Sequence, residues 1–281
     1  MRLPIPHVNL DRLAQECRVI LKHVAPGVAV FDADGTLWAP DIANRLWRRI
    51  LFERSIVSPG REVMFEALHQ AGLDSKGDPH EDAMVILNAY FAGRVEEEII
   101  VRVMINALAG LSRVRVDEIV HRALHADQPS FALEAHLGMA DFVRDLHRQG
   151  MRIVICSGSP VWAVEAGARA LNLPIETVLA GDVTQPGGHL SPEIVEPLTF
   201  REGKGRAYDQ LIGTAPLFAF GDGESDIPLL DRARFLSVAV NPRPSLIREL
   251  PRFGTRARIL HFDRTEGGRP IVPPAQDESI D

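Results

Sequence analysis

Two cysteines in 281 residues, Cys17 and Cys156, are too few and too far apart for a disulfide framework. A reducing compartment is expected, with the cytoplasm as the location, and Cys156 reads as a buried thiol within an apolar run. No apolar run reaches the roughly 18–20 residues that a membrane span requires. The longest, such as Val28–Phe31 and Ile153–Cys156, have the length of strands. Met1–Leu10 carries two prolines and no apolar block behind a basic start, so no secretory signal is expected. Positive charge is scarce as well. Lys and Arg number 31 against 38 Asp and Glu, a formal charge of −7. That excludes the general basic surface that binding along a nucleic-acid backbone needs.

What is present fits an ordinary globular protein. Hydrophobic residues make 46% and charged residues 25%, too apolar for a disordered chain. The length allows one large domain or a core domain with a smaller companion. No internal repeat or long low-complexity tract interrupts it. The stretch Arg264–Asp281, rich in proline and acid, reads as a loosely held tail.

Four apolar runs read as buried parallel strands: Val28–Phe31, Ile153–Cys156, Leu217–Phe220 and Phe235–Val240. They are near-continuous rather than alternating, as strands covered on both faces are. Helical patterns lie between them, at Asp141–Gln149 before Gly150, at Val161–Leu171 after Pro160, and at Gly205–Ile212 after a Gly-Lys-Gly loop. Such alternation predicts an α/β fold with a doubly wound, Rossmann-like parallel sheet. Between the first two strands, Asp41 to Ala135 shows no convincing strand. Ile42, Leu46 and Ile50, then Ile99, Val103, Ala107 and Leu108, then Ile119, Val120, Ala123 and Leu124 form helical stripes. The reading is a core over 1–40 and 136–263, with a helical cap domain inserted over 41–135. Gly187-Gly188 is read as a hairpin turn between Asp182 and Leu198.

The chemistry concentrates at strand ends. Asp32 and Asp34 follow the first strand, separated by one residue and leading into Gly35. Open α/β sheets place their sites at this carboxyl edge, and two carboxylates there repel unless a cation neutralises them. Asp222, Glu224 and Asp226 follow the third strand. An oxygen-rich set of this kind suits Mg²⁺. Ser157-Gly158-Ser159 follows the second strand with hydroxyl and backbone N–H groups suited to an anion, and Lys204 adds a point charge at another helix start. Acids, a metal edge, an anion cradle and a cation together are what phosphoryl transfer needs.

Asp32-Ala33-Asp34-Gly35-Thr36, Ser157, Lys204 and Gly221-Asp222-Gly223-Glu224-Ser225-Asp226, in that order from about Val28 to Val240, resemble the four motifs of the haloacid dehalogenase superfamily. More narrowly, the chain is similar to the phosphoserine-phosphatase-like branch with its helical cap. The resemblance implies that Asp32 is the nucleophile that becomes an aspartyl phosphate. It implies that Asp34 is the general acid and base, and that its backbone carbonyl joins Asp32, Asp222 and Asp226 around Mg²⁺. Asp226 would support that metal or orient Lys204. Ser157 and Lys204 would hold the phosphoryl oxygens, helped by backbone N–H groups of Ala33 and Gly158. Members that dehalogenate lack an acid at position 34, so a phosphatase is implied.

Substrate contacts are read less directly. Asp41 stands where this branch carries a cap glutamate that meets a substrate amine. Trp38, four residues past Asp34, offers an aromatic face for a quaternary ammonium group, against the competing reading of packing. Asp32 and Asp34 as a capped turn, Asp222 and Asp226 as helix caps, Ser157 as a cap and Lys204 as a solvated side chain are the bland alternatives. Glu224 reads as a first-turn helix acid, and His121 and His125 as a solvated helical face.

The expected activity is Mg²⁺-dependent hydrolysis of a small-metabolite phosphomonoester, such as phosphoserine or phosphocholine, by a monomer or homodimer. The alternatives are a phosphotransferase or mutase using the same aspartyl phosphate, and a non-catalytic phospholigand-binding protein.

Overall fold

The computed structural model describes residues 4–39, 41–124 and 134–262. His125, the end of the insertion over 125–133 and the expected tail lie outside the described residues. The centre is a seven-stranded sheet in which every pairing is parallel. In chain order the strands of the protein are β1 His7–Val8, β2 Val28–Phe31, β3 Trp38–Ala39, β4 Glu134–Ala135, β5 Arg152–Pro160, β6 Thr177–Gly181, β7 Phe218–Gly221, β8 Leu236–Val240 and β9 Ala257–Leu260. The large sheet runs β1-β9-β8-β7-β2-β5-β6. β2 is therefore flanked by β5 on one side and β7 on the other, and the sheet grows outward in both directions from it.

Alternation along the strands divides the core. Ala29 and Phe31, Ile153 and Ile155, and Phe218 and Phe220 point to one face. Val28 and Val30, Val154 and Cys156, and Ala219 point to the other. On the first face Phe31 stacks on Phe220 with ring centroids 4.2 Å apart, and Phe142 meets Phe220 edge-on at 5.7 Å. Helices α1 Leu10–Leu21 and α7 Met139–Arg148 cover this face. Helices α9 Glu202–Leu211, α10 Ile227–Arg232 and α11 Pro244–Glu249 supply Tyr208, Leu229, Leu230 and Leu246 to the other.

Five helices lie between β3 and β4: α2 Ile42–Phe52, α3 Gly60–Gln70, α4 Pro79–Phe91, α5 Glu97–Asn106 and α6 Arg113–Leu124. Asp41 caps α2 by accepting from Asn44 N at 2.8 Å, and Asp78 caps α4, where Pro79 occupies the first turn. The apolar stripes of these helices bury together. Their cluster also takes in Val161, Trp162 and Ala163 of α8 Val161–Ala170, with Val183, Leu190 and Leu198. The insertion is thus fastened to the sheet domain through α8, directly beyond the end of β5.

Three features differ from the expectation. β3 and β4 pair antiparallel, Trp38 opposite Ala135, and form a ribbon at the root of the insertion. Two-residue strands carry no readable pattern. The apolar patterning does not predict the outer strands β1, β6 and β9, each of which is short or only partly covered. Helix α9 begins at Glu202 and contains the Gly-Lys-Gly run rather than following it. These glycines serve close approach, since a Cβ on Gly203 would lie 1.7 Å from Leu198 O and one on Gly205 2.4 Å from the Arg232 guanidinium. The expected hairpin around Gly187-Gly188 is present, with Val183 bridging Ile194.

Candidate active site at the carboxyl edge of the sheet

Asp32 is the first residue beyond β2, and its N–H is anchored to Phe220 O at 2.9 Å. The chain then turns sharply. Leu37 N donates to Ala33 O and Gly35, at φ +81°, donates to Trp38 O. A Cβ at Gly35 would stand 2.5 Å from Asp222 Oδ2, so glycine allows the turn to lie against that acid. On the neighbouring strand β7, Gly221 allows Asp226 to fold back, because a Cβ there would lie 2.4 Å from Asp226 Cβ.

β5 reaches the site through an irregularity. Cys156 pairs with Leu179 but Pro160 pairs with Gly181, leaving extra residues on β5 between those pairs. Ser157, Gly158 and Ser159 occupy this bulge within the strand rather than a loop after it. Ser159 N donates to Ser157 Oγ at 3.1 Å, and Ser159 Oγ lies 2.6 Å from Asp34 Oδ2.

Lys204, only 2% exposed, places Nζ 2.6 Å from Asp32 Oδ1 and 2.6 Å from Asp226 Oδ1. Asp226 Oδ2 accepts from the N–H groups of Asp222 and Gly223 at 2.9 and 3.0 Å. Both Asp226 oxygens are therefore engaged in fixing the lysine and the loop. Asp32 Oδ2 accepts from Thr36 Oγ1 at 3.2 Å. Asp222 Oδ2 accepts from Arg243 Nε at 3.0 Å. Among the described residues, Asp32, Asp222 and Asp226 form a group that could hold a metal, with one oxygen of each within 4.8 Å of the others.

Charge makes the same point. Three buried carboxylates meet one buried ammonium, an excess of acid in a buried site apart from Arg243 at its rim. Burial and the Asp226 carboxylate push Asp32 well above the ordinary range, and Lys204 only partly offsets them. Burial and Asp226 likewise raise Asp222 to about 6. Burial opposes the charge on Lys204, but Asp226 and Asp32 outweigh it and hold the ammonium charged. A hard divalent cation fits this all-oxygen donor set, and Mg²⁺ suits it by chemistry.

Asp34, expected to reach the metal through its backbone carbonyl, directs its carboxyl elsewhere. Oδ1 accepts from Trp38 Nε1 and from Ile42 N, each at 2.8 Å, and Oδ2 faces Ser159. Burial, and secondarily the charge of Asp41, raise this carboxyl to about 7. Trp38 has no exposed surface, so its ring offers no face to a ligand, and the expected ammonium contact gives way to a hydrogen bond to Asp34. Asp41 is half-buried at the start of α2 with its carboxyl occupied by the cap. Gly158 lies against the backbone of Thr199, where a Cβ would be 3.6 Å from the carbonyl.

Sequence reasoning assigned no role to Thr36 and none to Ser159 as a partner of Asp34, and it missed Arg243 altogether. Arg243 sits in the turn after β8, at the same sheet edge as the four motifs, so a scan of residues that follow each strand would have found it.

A curated phosphoserine phosphatase from Halobacterium salinarum is 28% identical over 113 residues, covering 39% of this chain and 53% of that protein. The match thus spans about half of that relative. A protein of unknown function from Bordetella pertussis Tohama I superposes with a TM-score of 0.61 at 21% identity, covering 85% of this chain and all of its own. A substrate-bound phosphoserine phosphatase superposes with a TM-score of 0.51 at 18% identity, covering 86% and 95%. At these identities the structures share the fold. The family model for haloacid dehalogenase-like hydrolases matches residues 29–231, from β2 through α10 and across the site acids, the Ser157–Ser159 bulge and Lys204 but not Arg243, and the chain belongs to that family.

Proposed function

We propose that this protein is a phosphatase that hydrolyses a small phosphomonoester through an aspartyl phosphate on Asp32, with Mg²⁺ as its metal. One juxtaposition carries the reading: the buried Asp32 bonded to Lys204 at 2.6 Å, and two residues on Asp34, whose carboxyl is tied to Ser159 and is raised by burial to about 7. Such a pair offers a nucleophile and a proton donor at one sheet edge.

Asp32, Asp222 and the backbone carbonyl of Asp34 would hold Mg²⁺, with Asp226 supporting them. The ion supplies charge neutralisation for the carboxylates and the incoming phosphate. Lys204 would bind a phosphoryl oxygen while remaining charged. Ser157 accepts from Ser159 N, so its own hydroxyl hydrogen is available to a second phosphoryl oxygen. Asp32 attacks phosphorus and Asp34 gives its proton to the departing oxygen. Asp34, now ionised, then takes a proton from the water that opens the aspartyl phosphate.

The helices over 41–135 act in this reading as a cap domain on a core of 1–40 and 136–263, shielding the site and selecting the ester. The substrate is a small phosphorylated metabolite, with phosphoserine and phosphocholine as the first candidates to assay. The reading places a monomer or homodimer in the cytoplasm. Both cysteines are buried and unpaired with thiols pushed up to about 12, and no helix among the described residues is long and apolar enough to cross a membrane.

The test is phosphate release from a panel of phosphomonoesters. Activity that disappears on chelation and in Asp32→Asn supports the reading. Turnover that survives either treatment contradicts it.

A further inference from the structure

The carboxyl of Asp34 is held by three hydrogen-bond partners from three parts of the chain. Trp38 Nε1, on the β3 ribbon, and Ile42 N, the first residue of α2, both lie 2.8 Å from Oδ1. Ser159 Oγ, in the β5 bulge, lies 2.6 Å from Oδ2. An indole N–H and a backbone N–H can only donate. Oδ1 therefore accepts twice and has no place for a proton of its own. A hydroxyl can donate or accept, so Oδ2 is the oxygen whose partner tolerates both protonation states of Asp34.

We infer that Ser159 and Trp38 are positioning residues for leaving-group protonation, fixing the transferable proton of Asp34 on Oδ2. This rests on the phosphatase reading above. Trp38 and Ile42 N lock the carboxyl plane and reserve Oδ1 as acceptor. Ser159 is the partner of the Oδ2 proton until a substrate oxygen takes it.

In the first step an Asp32 oxygen bonds to phosphorus. The bond from phosphorus to the ester oxygen breaks, and its electron pair stays on that oxygen. The Oδ2 proton moves to the same oxygen, so a neutral alcohol leaves and Asp34 becomes a carboxylate. That carboxylate keeps all three hydrogen bonds, now with Ser159 as donor. Because one donor on Oδ1 is the N–H of Ile42, the alignment of the acid depends on α2 lying against the turn. A displaced cap would hold a misaligned acid.

The inference separates esters by how much proton help their leaving group needs. The leaving group of an aryl phosphate such as 4-nitrophenyl phosphate is a stable phenolate, whereas that of an alkyl phosphate would, without a proton, be a strongly basic alkoxide. kcat/KM reports steps through the first phosphoryl transfer and is blind to later opening of the aspartyl phosphate. The experiment compares wild type, Asp34→Asn, Ser159→Ala, Ser159→Thr and Trp38→Phe on 4-nitrophenyl phosphate and on the alkyl phosphate that the wild type turns over fastest.

Ser159→Ala and Trp38→Phe are expected to lower kcat/KM for the alkyl ester by at least about tenfold more than for the aryl ester, within the range that acid catalysis supplies. Asp34→Asn should show the same imbalance more strongly, and Ser159→Thr, which keeps the hydroxyl, should restore most of the difference. Equal losses on both esters, in a series where Asp34→Asn is unequal, would overturn the positioning role. A wild type inert towards every phosphomonoester would overturn the phosphatase reading itself.

Discussion

Lys204 and Asp32 are 172 positions apart in the chain, yet Nζ and Oδ1 meet at 2.6 Å in a site where both side chains are almost wholly buried. The contact depends on Gly203 and Gly205, which let the first turn of α9 press against Leu198 and Arg232 and carry the lysine inward. Asp226 grips the same ammonium from the other side.

Removing that ammonium should therefore harm the fold as well as the chemistry. Lys204→Ala leaves two buried carboxylates without their shared cation, a change that costs about 3–5 kcal/mol in comparable buried pairs. Denaturant unfolding of the chelated protein should show a loss of that order. A loss under about 1 kcal/mol would mean that solvent reaches the site and screens it.

Gly35 gives a test of the proposed metal site that substitutes none of its proposed ligands. Alanine there must carry φ +81° and bring its Cβ within 2.5 Å of Asp222 Oδ2. Gly72→Ala is the control, since it carries φ +66° with nothing within 4 Å. Titration calorimetry should show Gly35→Ala binding Mg²⁺ weaker by on the order of tenfold, or 1.4 kcal/mol, with Gly72→Ala binding as the wild type does.

Much of this arrangement is legible in the chain, and the remainder is hidden for physical reasons. β2, β7 and β8 are buried on both faces, so their apolar runs stand out, and the acids after β2 and β7 fall at the sheet edge where chemistry gathers. The Ser157–Ser159 bulge is invisible because a bulge depends on the register of a neighbouring strand. Glycines beside Lys204 look like helix breakers, and only the nearness of Leu198 O shows that they are spacers. Of the two readings of Trp38, burial supports packing over an ammonium contact, and its bond to Asp34 is hidden because an indole has two uses, a face and an N–H. Which one operates depends on burial.

The acids of the site should make the chelated protein less stable as pH rises. Asp34 and Asp222 have their carboxyls raised to about 7 and about 6 in the folded state, from about 4 in the unfolded chain. Between those values the folded state binds more protons, so its advantage is full below about pH 4 and is lost as pH climbs through 6 to 7. The melting temperature without metal should fall between pH 5 and pH 8 by on the order of 5 °C, and Asp34→Asn should flatten that slope. A melting temperature that rises over the same interval would contradict the assignment.

Asp41 acts on Asp34 through its charge, which ranks behind burial among the causes that raise the Asp34 carboxyl. In Asp41→Ala the acid should ionise at lower pH. The alkaline limb of kcat/KM for an alkyl phosphate should move downward. Loss of the cap to Asn44 N should also cost about 1 kcal/mol of stability. An unmoved limb would contradict the coupling of Asp41 to Asp34, since kcat/KM reads the free enzyme.

The central claim is that a covalent bond forms between Asp32 and phosphorus, and borohydride trapping during turnover reads it directly. Reduction of an acyl phosphate converts the carboxyl to an alcohol, so peptide mass spectrometry should find homoserine at position 32 only when substrate and Mg²⁺ are present. Phosphate release that continues with no reduction at that position, or with the reduced residue elsewhere, would contradict the account.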